Sequence, residues 1–327
     1  MNTIKFTPRN EMRKETSNVE VYKIDEIEID NKTYKYYSDA QISLYVTKKC
    51  NASCSFCMNR LENRCIKAKE LDDKKYYEML SYYLDMFKEI KPWITITGGE
   101  PTISKRLVPI LKMIKEKGYK IRTFSTNGSH LLDRYEGKYI IQYMLENNVL
   151  NNVNISRMAI NDEDNSKLMK ISKDESRNKD LKVISTYADA NNIEIRLSCN
   201  LLKDGVKNLD DILNYKEFYN NLGIKTVMFR ELIPLPYKKD EYVNIDDVFE
   251  EIEKSEEFEL IRVMEGLYYT VKVYNYKDYV VKCYKEKGTM DKKVIREFVI
   301  YPDGKLDNGF DNETLMEMRD YEWIWED

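Results

Sequence analysis

A regular alternation of short apolar runs with amphipathic helical segments, from residue 41 to residue 230, constrains this chain more than any other feature. Alternation of this kind implies parallel strands joined by right-handed crossovers. We therefore predict an α/β fold built on a partial (β/α)6 TIM-like barrel, open rather than complete. Its strands are predicted at residues 42–46, 93–97, 120–124, 152–156, 194–198 and 226–229. Its helices are predicted at residues 71–91, 105–117, 138–147, 181–190 and 209–221.

Different patterns flank the barrel region. Residues 19–37 alternate apolar and charged side chains around the turn signal Asp30-Asn31, which predicts a β-hairpin. Beyond Pro236 an acidic helical segment and strand-like runs indicate a smaller α+β layer that closes the open side of the barrel. We expect three regions: an N-terminal extension with the hairpin (1–39), the barrel (40–235) and a C-terminal α+β region (236–327).

Composition excludes several classes of function. The net charge of −4 gives no basic footprint for nucleic acid. No apolar run has the length of a signal peptide or of a membrane span, so we expect a cytoplasmic protein with no membrane partner. In that reducing compartment, six cysteines favour metal binding or catalysis over disulfides. The single histidine, His130, argues against histidine-rich metal sites, and we expect it to be structural.

Three of the cysteines lie close together on the loop after the first predicted strand. Cys50, Cys54 and Cys57 have C-x3-C-x2-C spacing, and thiolates are ligands that suit iron–sulfur clusters and zinc. Three ligands can hold three irons of a [4Fe–4S] cube and leave the fourth iron open to a small molecule. Two alternatives remain: a four-thiolate zinc site that also uses Cys65, and reduced cysteines that simply pack in the core.

Unusual residues also follow the second predicted strand, where parallel barrels carry their chemistry. Gly98-Gly99 lets backbone approach a ligand closely, because neither residue has a side chain. Glu100 offers a charged acceptor for an ammonium group, and Pro101 fixes the turn. The alternative is an ordinary Gly-Gly turn.

Together these motifs resemble the radical S-adenosylmethionine (radical SAM) superfamily over residues 41–232. The loop resembles that family's cluster loop, including Phe56 before the last cysteine, and Gly98-Gly99-Glu100-Pro101 matches its GGEP motif. The resemblance implies one [4Fe–4S] cluster on the three loop cysteines and S-adenosylmethionine bound to the open iron. It also implies that the GGEP glycine backbone and Glu100 meet the amino group of the cofactor.

The same resemblance assigns residues after later strands to the cofactor. Ser125 and Asn127 can hydrogen-bond to a carboxylate or a ribose, although an Asn-Gly turn with structural hydrogen bonds is the alternative. The candidates after the next two strands are Ser156 and Asn200. Family members often have an acidic residue after this serine, whereas this chain has Arg157, which we predict to be a cation for the cofactor carboxylate or an anionic substrate, or else a surface arginine.

Three further residues are candidates for the substrate side of the site. Arg230 and Glu231 follow the sixth strand and face the expected substrate position, unless they form an ion pair that closes the barrel. Cys283 is the only cysteine of the C-terminal region, so that region lacks the thiols for a second cluster. Cys283 is instead a candidate hydrogen-atom donor.

The resemblance implies radical chemistry: the reduced cluster gives one electron to the sulfonium, and a 5′-deoxyadenosyl radical then takes hydrogen from substrate. We predict a small-molecule or nucleotide substrate and a reductant such as flavodoxin or ferredoxin. An alternative is modification of a ribosomally made peptide, for which the N-terminal hairpin could offer a strand edge. A third reading, from a different class, is a non-catalytic zinc-binding scaffold.

Overall fold

The computed structural model describes residues 4–6, 20–61, 69–145, 150–232, 240–265, 269–277, 279–287, 293–309 and 313–318. The first two short strands, β1 (Ile4–Phe6) and β2 (Glu20–Tyr22), pair with each other. The predicted hairpin follows as β3 (Ile24–Ile29) and β4 (Lys32–Tyr45). Its turn residues Asp30 and Asn31 have φ angles of 49° and 60°. Positive φ at both positions is the geometry of a type I′ turn, which matches the twist of the paired strands.

The predicted parallel barrel strands are confirmed. They are β4 together with β5 (Trp93–Thr97), β6 (Ile121–Thr126), β9 (Leu150–Ser156), β10 (Glu194–Asn200) and β11 (Thr226–Arg230). Each pairs in parallel with the next in this order. β4 is one continuous strand of 14 residues, so the hairpin and the first barrel strand share one backbone.

Helices connect the strands. Those of the barrel region are α1 (Met58–Leu61), α2 (Asp73–Met86), α3 (Leu107–Glu116), α4 (Ile140–Leu145), α5 (Asp162–Met169), α6 (Asn178–Ala190) and α7 (Leu209–Asn221). A 3-10 turn covers Pro101–Ile103, and a small hairpin, β7 (Arg134–Tyr135) and β8 (Lys138–Tyr139), precedes α4. Of these helices, α1 and α5 were not predicted: α1 has only four residues, and the acidic sequence of α5 has almost no apolar face. The side chain of Asn161 begins it by accepting a hydrogen bond from the Asp164 amide.

The C-terminal region does not close the barrel as predicted. It contains α8 (Ile245–Lys254), β12 (Phe258–Glu265), β13 (Tyr269–Tyr276), β14 (Tyr279–Glu286), β15 (Ile295–Ile300), β16 (Lys305–Asp307) and β17 (Thr314–Glu317). β14 adds in parallel to β11 at one edge, and β15 adds in parallel to β4 at the other. The result is an open sheet of 13 strands that runs from β12 to β17. The C-terminal strands therefore widen the sheet at both edges.

Strand alternation divides the barrel strands into two faces. Apolar side chains such as Ile42, Ile96, Val153 and Leu197 are fully buried against the helices. The side chains between them point to the inner face and are mostly polar. No helix among the described residues is both long and apolar enough to cross a membrane.

Candidate active site

The inner face of the sheet surrounds a polar cavity of about 440 Å³. All six barrel strands contribute side chains to it, as do the cysteine loop and β13, β14 and β15. Strand β9 shows how the sequence produces this lining: Asn152, Asn154 and Ser156 face the cavity, whereas Val153 and Ile155 pack outward in the core. A polar interior in a barrel is suited to a polar ligand rather than to packing.

The cysteine loop crosses the carboxyl ends of the strands. Phe56 and Cys54 pack against an apolar cluster that includes Met158 and Leu202, which follow β9 and β10. The Ser53 amide donates to the Met169 carbonyl over 3.2 Å. Phe56 and the neighbouring Met58 line the cavity, so the loop forms part of its wall.

The three loop thiols fit a cluster by donor type and by accessibility. Cys50 is exposed, Cys54 and Cys57 are half-buried, and no disulfide joins the described cysteines. Within the described residues, no three Cys, His, Asp or Glu side chains surround a point where a metal ion could sit. Cys65, the fourth ligand of the zinc alternative, lies outside the described residues.

The two glycines of the GGEP segment hold the turn against the base of the cysteine loop. The Gly99 amide donates to the Thr47 carbonyl and the Glu100 amide donates to the Lys49 carbonyl, each over 2.8 Å. A Cβ atom on Gly99 would lie 2.0 Å from the Lys49 oxygen, and one on Gly98 would lie 2.6 Å from the Thr47 oxygen. Any side chain here would push the loop away, so the glycines fix the spacing between the two motifs.

The carboxylate of Glu100 binds protein groups and does not line the cavity. It is 1% exposed and accepts hydrogen bonds from the Thr102 hydroxyl (2.7 Å), the Thr126 hydroxyl (2.7 Å) and the Asn127 amide (2.6 Å). Burial raises the pKa of Glu100, and these hydrogen bonds oppose that effect. The side chain thus joins the turn after β5 to the turn after β6, and the predicted contact with an ammonium group has no support in this arrangement.

A second network joins Asn127 to the cysteine loop. The Asn127 side chain donates to the Asn51 oxygen over 2.8 Å, and Asn51 in turn donates to Ser129 (3.0 Å) and to Glu175 (2.6 Å). Glu175 also lies 3.3 Å from Nε2 of His130. Asn127 is therefore a positioning residue for the loop, and its side chain does not reach the cavity.

The C-terminal region supports the loop from its other side. Lys48 forms an ion pair of 2.6 Å with Asp303, which lies in the turn between β15 and β16. The rings of Tyr45 and Tyr301 lie 4.9 Å apart. The base of the loop is therefore held both by the turns of the barrel and by the C-terminal strands.

Arg157 is removed from the cavity, contrary to its predicted role as a cofactor or substrate cation. Its side chain is fully buried, pairs with Asp162, and donates to the Tyr219 hydroxyl (2.7 Å) and the Ser176 carbonyl (2.5 Å). Ser156 lies on the cavity side, and its neighbour Arg157 points to the opposite side, among α5, α6 and α7. The guanidinium fixes these helices to the end of β9.

Cys283 also lies outside the cavity, so it is not positioned to donate a hydrogen atom there. It pairs in register with Phe229 on the outward, apolar face of the sheet, and it is fully buried. Burial raises the pKa of its thiol to about 12.

The remaining candidates line the cavity: Phe56, Ser125, Ser156, Asn200, Arg230 and Glu231. Glu231 accepts hydrogen bonds from the Tyr242 hydroxyl (2.6 Å) and the Glu286 amide (3.0 Å), so it fastens the C-terminal region to the barrel. No ion pair joins the two described residues Arg230 and Glu231. The sequence-based prediction missed Arg122, Arg196, Asn152, Asn154 and Tyr284, which also line the cavity. The alternation of polar residues in otherwise apolar strands was the available signal.

Comparison with known proteins gives a family match for part of the chain and structural neighbours for its fold. The family model described as the radical SAM superfamily matches residues 44–202. A protein named "Probable GTP 3′,8-cyclase" from Saccharolobus islandicus is 25% identical over 212 residues, which is 65% of this chain and 62% of that protein. The chain thus spans less than two thirds of that relative's length.

Solved structures share the fold at low sequence identity. Streptococcus suis SuiB bound to S-adenosylmethionine matches with a TM-score of 0.55 and 15% identity, over 89% of this chain and 65% of SuiB. The protein anSMEcpe with bound AdoMet matches with a TM-score of 0.55 and 13% identity, over 88% of this chain and 81% of that one.

The matched region contains the end of β4, the cysteine loop, the GGEP turn and the strands β5, β6, β9 and β10. Enzymes of this superfamily use a [4Fe–4S] cluster and S-adenosylmethionine as cofactors. The family match and the open α/β sheet lead to one conclusion: residues 44–202 of this chain form a radical SAM domain.

Proposed function

We propose that the chain cleaves S-adenosylmethionine reductively and uses the product to abstract hydrogen from a small-molecule or nucleotide substrate. The observation that carries this proposal is the position of the cysteine loop, whose Phe56 and Met58 form part of the wall of a polar cavity. A cluster on this loop lies beside the space in which a substrate binds.

Cys50, Cys54 and Cys57 hold the cluster in this proposal. They supply three soft ligands, which leaves one iron of the cube open, whereas a structural zinc site requires a fourth protein ligand. When bound, the reduced cluster and S-adenosylmethionine supply a 5′-deoxyadenosyl radical. The protein must orient that species and exclude water from it.

The residues of this chain divide into those that contact the cofactor and those that position others. Ser125, Ser156 and Asn200 line the cavity at strand ends, so their hydroxyl and amide groups can bind its carboxylate or ribose. The backbone of Gly98 and Gly99, which packs against the base of the loop, is assigned to the cofactor by the GGEP motif. Glu100 and Asn127 act indirectly, because their side chains tie the turns to one another and to Asn51.

The size and lining of the cavity favour a small polar substrate over a peptide. A volume of about 440 Å³ falls within the usual range for sites that bind small ligands. Similarity to GTP 3′,8-cyclases is consistent with a nucleotide. The exposed Cys50 requires a reducing compartment, so we place the enzyme in the cytoplasm with a reductant such as flavodoxin or ferredoxin.

The test is an anaerobic reconstitution with iron and sulfide, followed by dithionite and S-adenosylmethionine. We expect iron to bind and 5′-deoxyadenosine to form, and Cys54→Ala to abolish both. Cys199→Ala is the matched control, because this thiol is buried in the outer core away from the loop. A protein that binds zinc in place of iron, or a Cys54→Ala variant with unchanged iron content, would contradict the proposal.

A further inference from the structure

Arg230 lines the cavity, and its hydrogen-bonding groups are only partly matched by the described residues. It ends β11, and its guanidinium carbon lies 5.5 Å from the ring centre of Tyr269 and 4.8 Å from that of Tyr284. Its Nη2 lies 3.9 Å from the Met228 sulfur. Its Nε is buried and has no hydrogen-bond partner within the described part of the chain.

Five of the other arginines are paired with carboxylates. Within the described residues, ion pairs with Asp or Glu are formed by Arg106, Arg157, Arg177, Arg196 and Arg296, whereas no such pair includes Arg230. The nearest carboxylate along the chain, Glu231, is held by Tyr242 and the amides of Ile245 and Glu286. Among the described residues, no carboxylate therefore forms an ion pair with Arg230.

The contacts with the two tyrosine rings do not involve the N–H donors of Arg230. Rings contact the flat face of a guanidinium, whereas its five N–H groups point outward in its plane. A buried donor without an acceptor costs about 1–3 kcal/mol, more when it is charged. An oxyanion in the cavity would remove this cost, and planar bidentate pairing with carboxylate or phosphate is the geometry that arginine favours.

We propose that Arg230 binds an oxyanion of the substrate, a phosphate or a carboxylate group. This inference rests on the proposed function, because it names the substrate class of the same cavity. Asn200 lies beside Arg230 in the strand register and also lines the cavity, so its amide can donate to the same anion. Tyr269 and Tyr284 come from the C-terminal hairpin, so that hairpin orients the arginine that selects the substrate.

The test measures anion binding without turnover. Reconstituted protein that holds S-adenosylmethionine is titrated with inorganic pyrophosphate and, separately, with succinate by isothermal titration calorimetry. We expect one of the two to bind, which identifies phosphate or carboxylate as the preferred group. Arg230→Gln should weaken that binding by about tenfold or more, as expected for the loss of a charged hydrogen bond. Arg134→Gln, a change at an exposed arginine outside the cavity, should leave it unchanged.

Three results would overturn the inference: neither anion binds the wild type, Arg230→Gln binds as tightly as the wild type, or Arg230→Gln loses affinity for S-adenosylmethionine instead. The last result would assign Arg230 to the cofactor. The first two leave the proposed function intact when iron binds and 5′-deoxyadenosine forms. If no cluster assembles, the proposed function fails, and titration of the metal-free protein still reports on Arg230.

Discussion

Two arginines near strand ends, Arg157 after β9 and Arg230 at the end of β11, meet opposite environments. Arg157 lies outside the barrel with Asp162, Tyr219 and Ser176 as partners, and it joins three helices. Arg230 lies inside the barrel against two tyrosine rings, and its buried Nε has no hydrogen-bond partner among the residues that the structure describes. A buried polar group whose hydrogen bonds are made within the protein is part of the framework, and one that lacks them in a cavity is available to a ligand.

Replacement of each arginine by methionine should give the largest contrast. Arg157→Met removes the charged hydrogen bonds to Asp162, Tyr219 and Ser176 and should lower the free energy of unfolding by about 3–5 kcal/mol. Arg230→Met loses only contacts with aromatic rings and should change it by about 1 kcal/mol or less. Urea unfolding of both variants measures the difference. If both variants lost the same stability, Arg157 could not be called a structural residue in contrast to Arg230.

Gly99→Ala should be the next largest effect. The added methyl group would lie 2.0 Å from the Lys49 carbonyl, so the cysteine loop must move. We expect a loss of about 3 kcal/mol in unfolding free energy and reduced iron content after reconstitution. Gly205→Ala is the matched control, because its closest contact, at 3.2 Å, is the end of the Leu168 side chain. Normal iron content in Gly99→Ala would show that the loop does not depend on this spacing.

Glu100→Gln tests whether the carboxylate of Glu100 stabilises the fold or binds the cofactor. An amide cannot accept all the hydrogen bonds that Thr102, Thr126 and Asn127 donate, so unfolding should become easier by about 2 kcal/mol. Affinity for S-adenosylmethionine per bound cluster should change little. A specific loss of that affinity with unchanged stability would instead make Glu100 a cofactor ligand, as the sequence motif alone predicts.

Asp307 tests whether a buried polar atom without a partner always indicates a ligand. In the described ranges its Oδ1 has no hydrogen-bond partner, and the residue lies on β16, outside the cavity lining. Burial raises its pKa from 3.8 to about 6, so the folded protein binds this proton more tightly than the unfolded chain does. The resulting stabilisation is fully present below pH 3.8 and is lost as the pH rises through 6.

Asp307→Asn should therefore match the wild type at low pH and be more stable by about 2 kcal/mol near pH 8. Thermal unfolding at a series of pH values measures this. A stability difference that does not depend on pH would mean that Asp307 remains ionised in the folded protein.

The sequence alone predicted the six parallel barrel strands and the location of the motifs at the ends of these strands, because strand alternation and motif spacing are local patterns. Helix α7 has the predicted bounds, 209–221. The buried position of the Arg157 side chain could not be predicted from local patterns, because its partners on and beside α5, α6 and α7 are brought together only by the fold. The position of β14 at the edge of the sheet was not predicted either. Its pairing with β11 joins segments about 50 residues apart in the chain, and local sequence patterns carry no information over that separation.

The most direct test of the central claim is the electron paramagnetic resonance spectrum of the reconstituted, dithionite-reduced protein with and without S-adenosylmethionine. A [4Fe–4S] cluster with three cysteine ligands has one open iron, so the account predicts a paramagnetic signal whose shape changes when the cofactor binds. That change should be absent in Cys54→Ala. A signal that the cofactor does not alter, or a protein that holds zinc and gives no signal, would contradict the account.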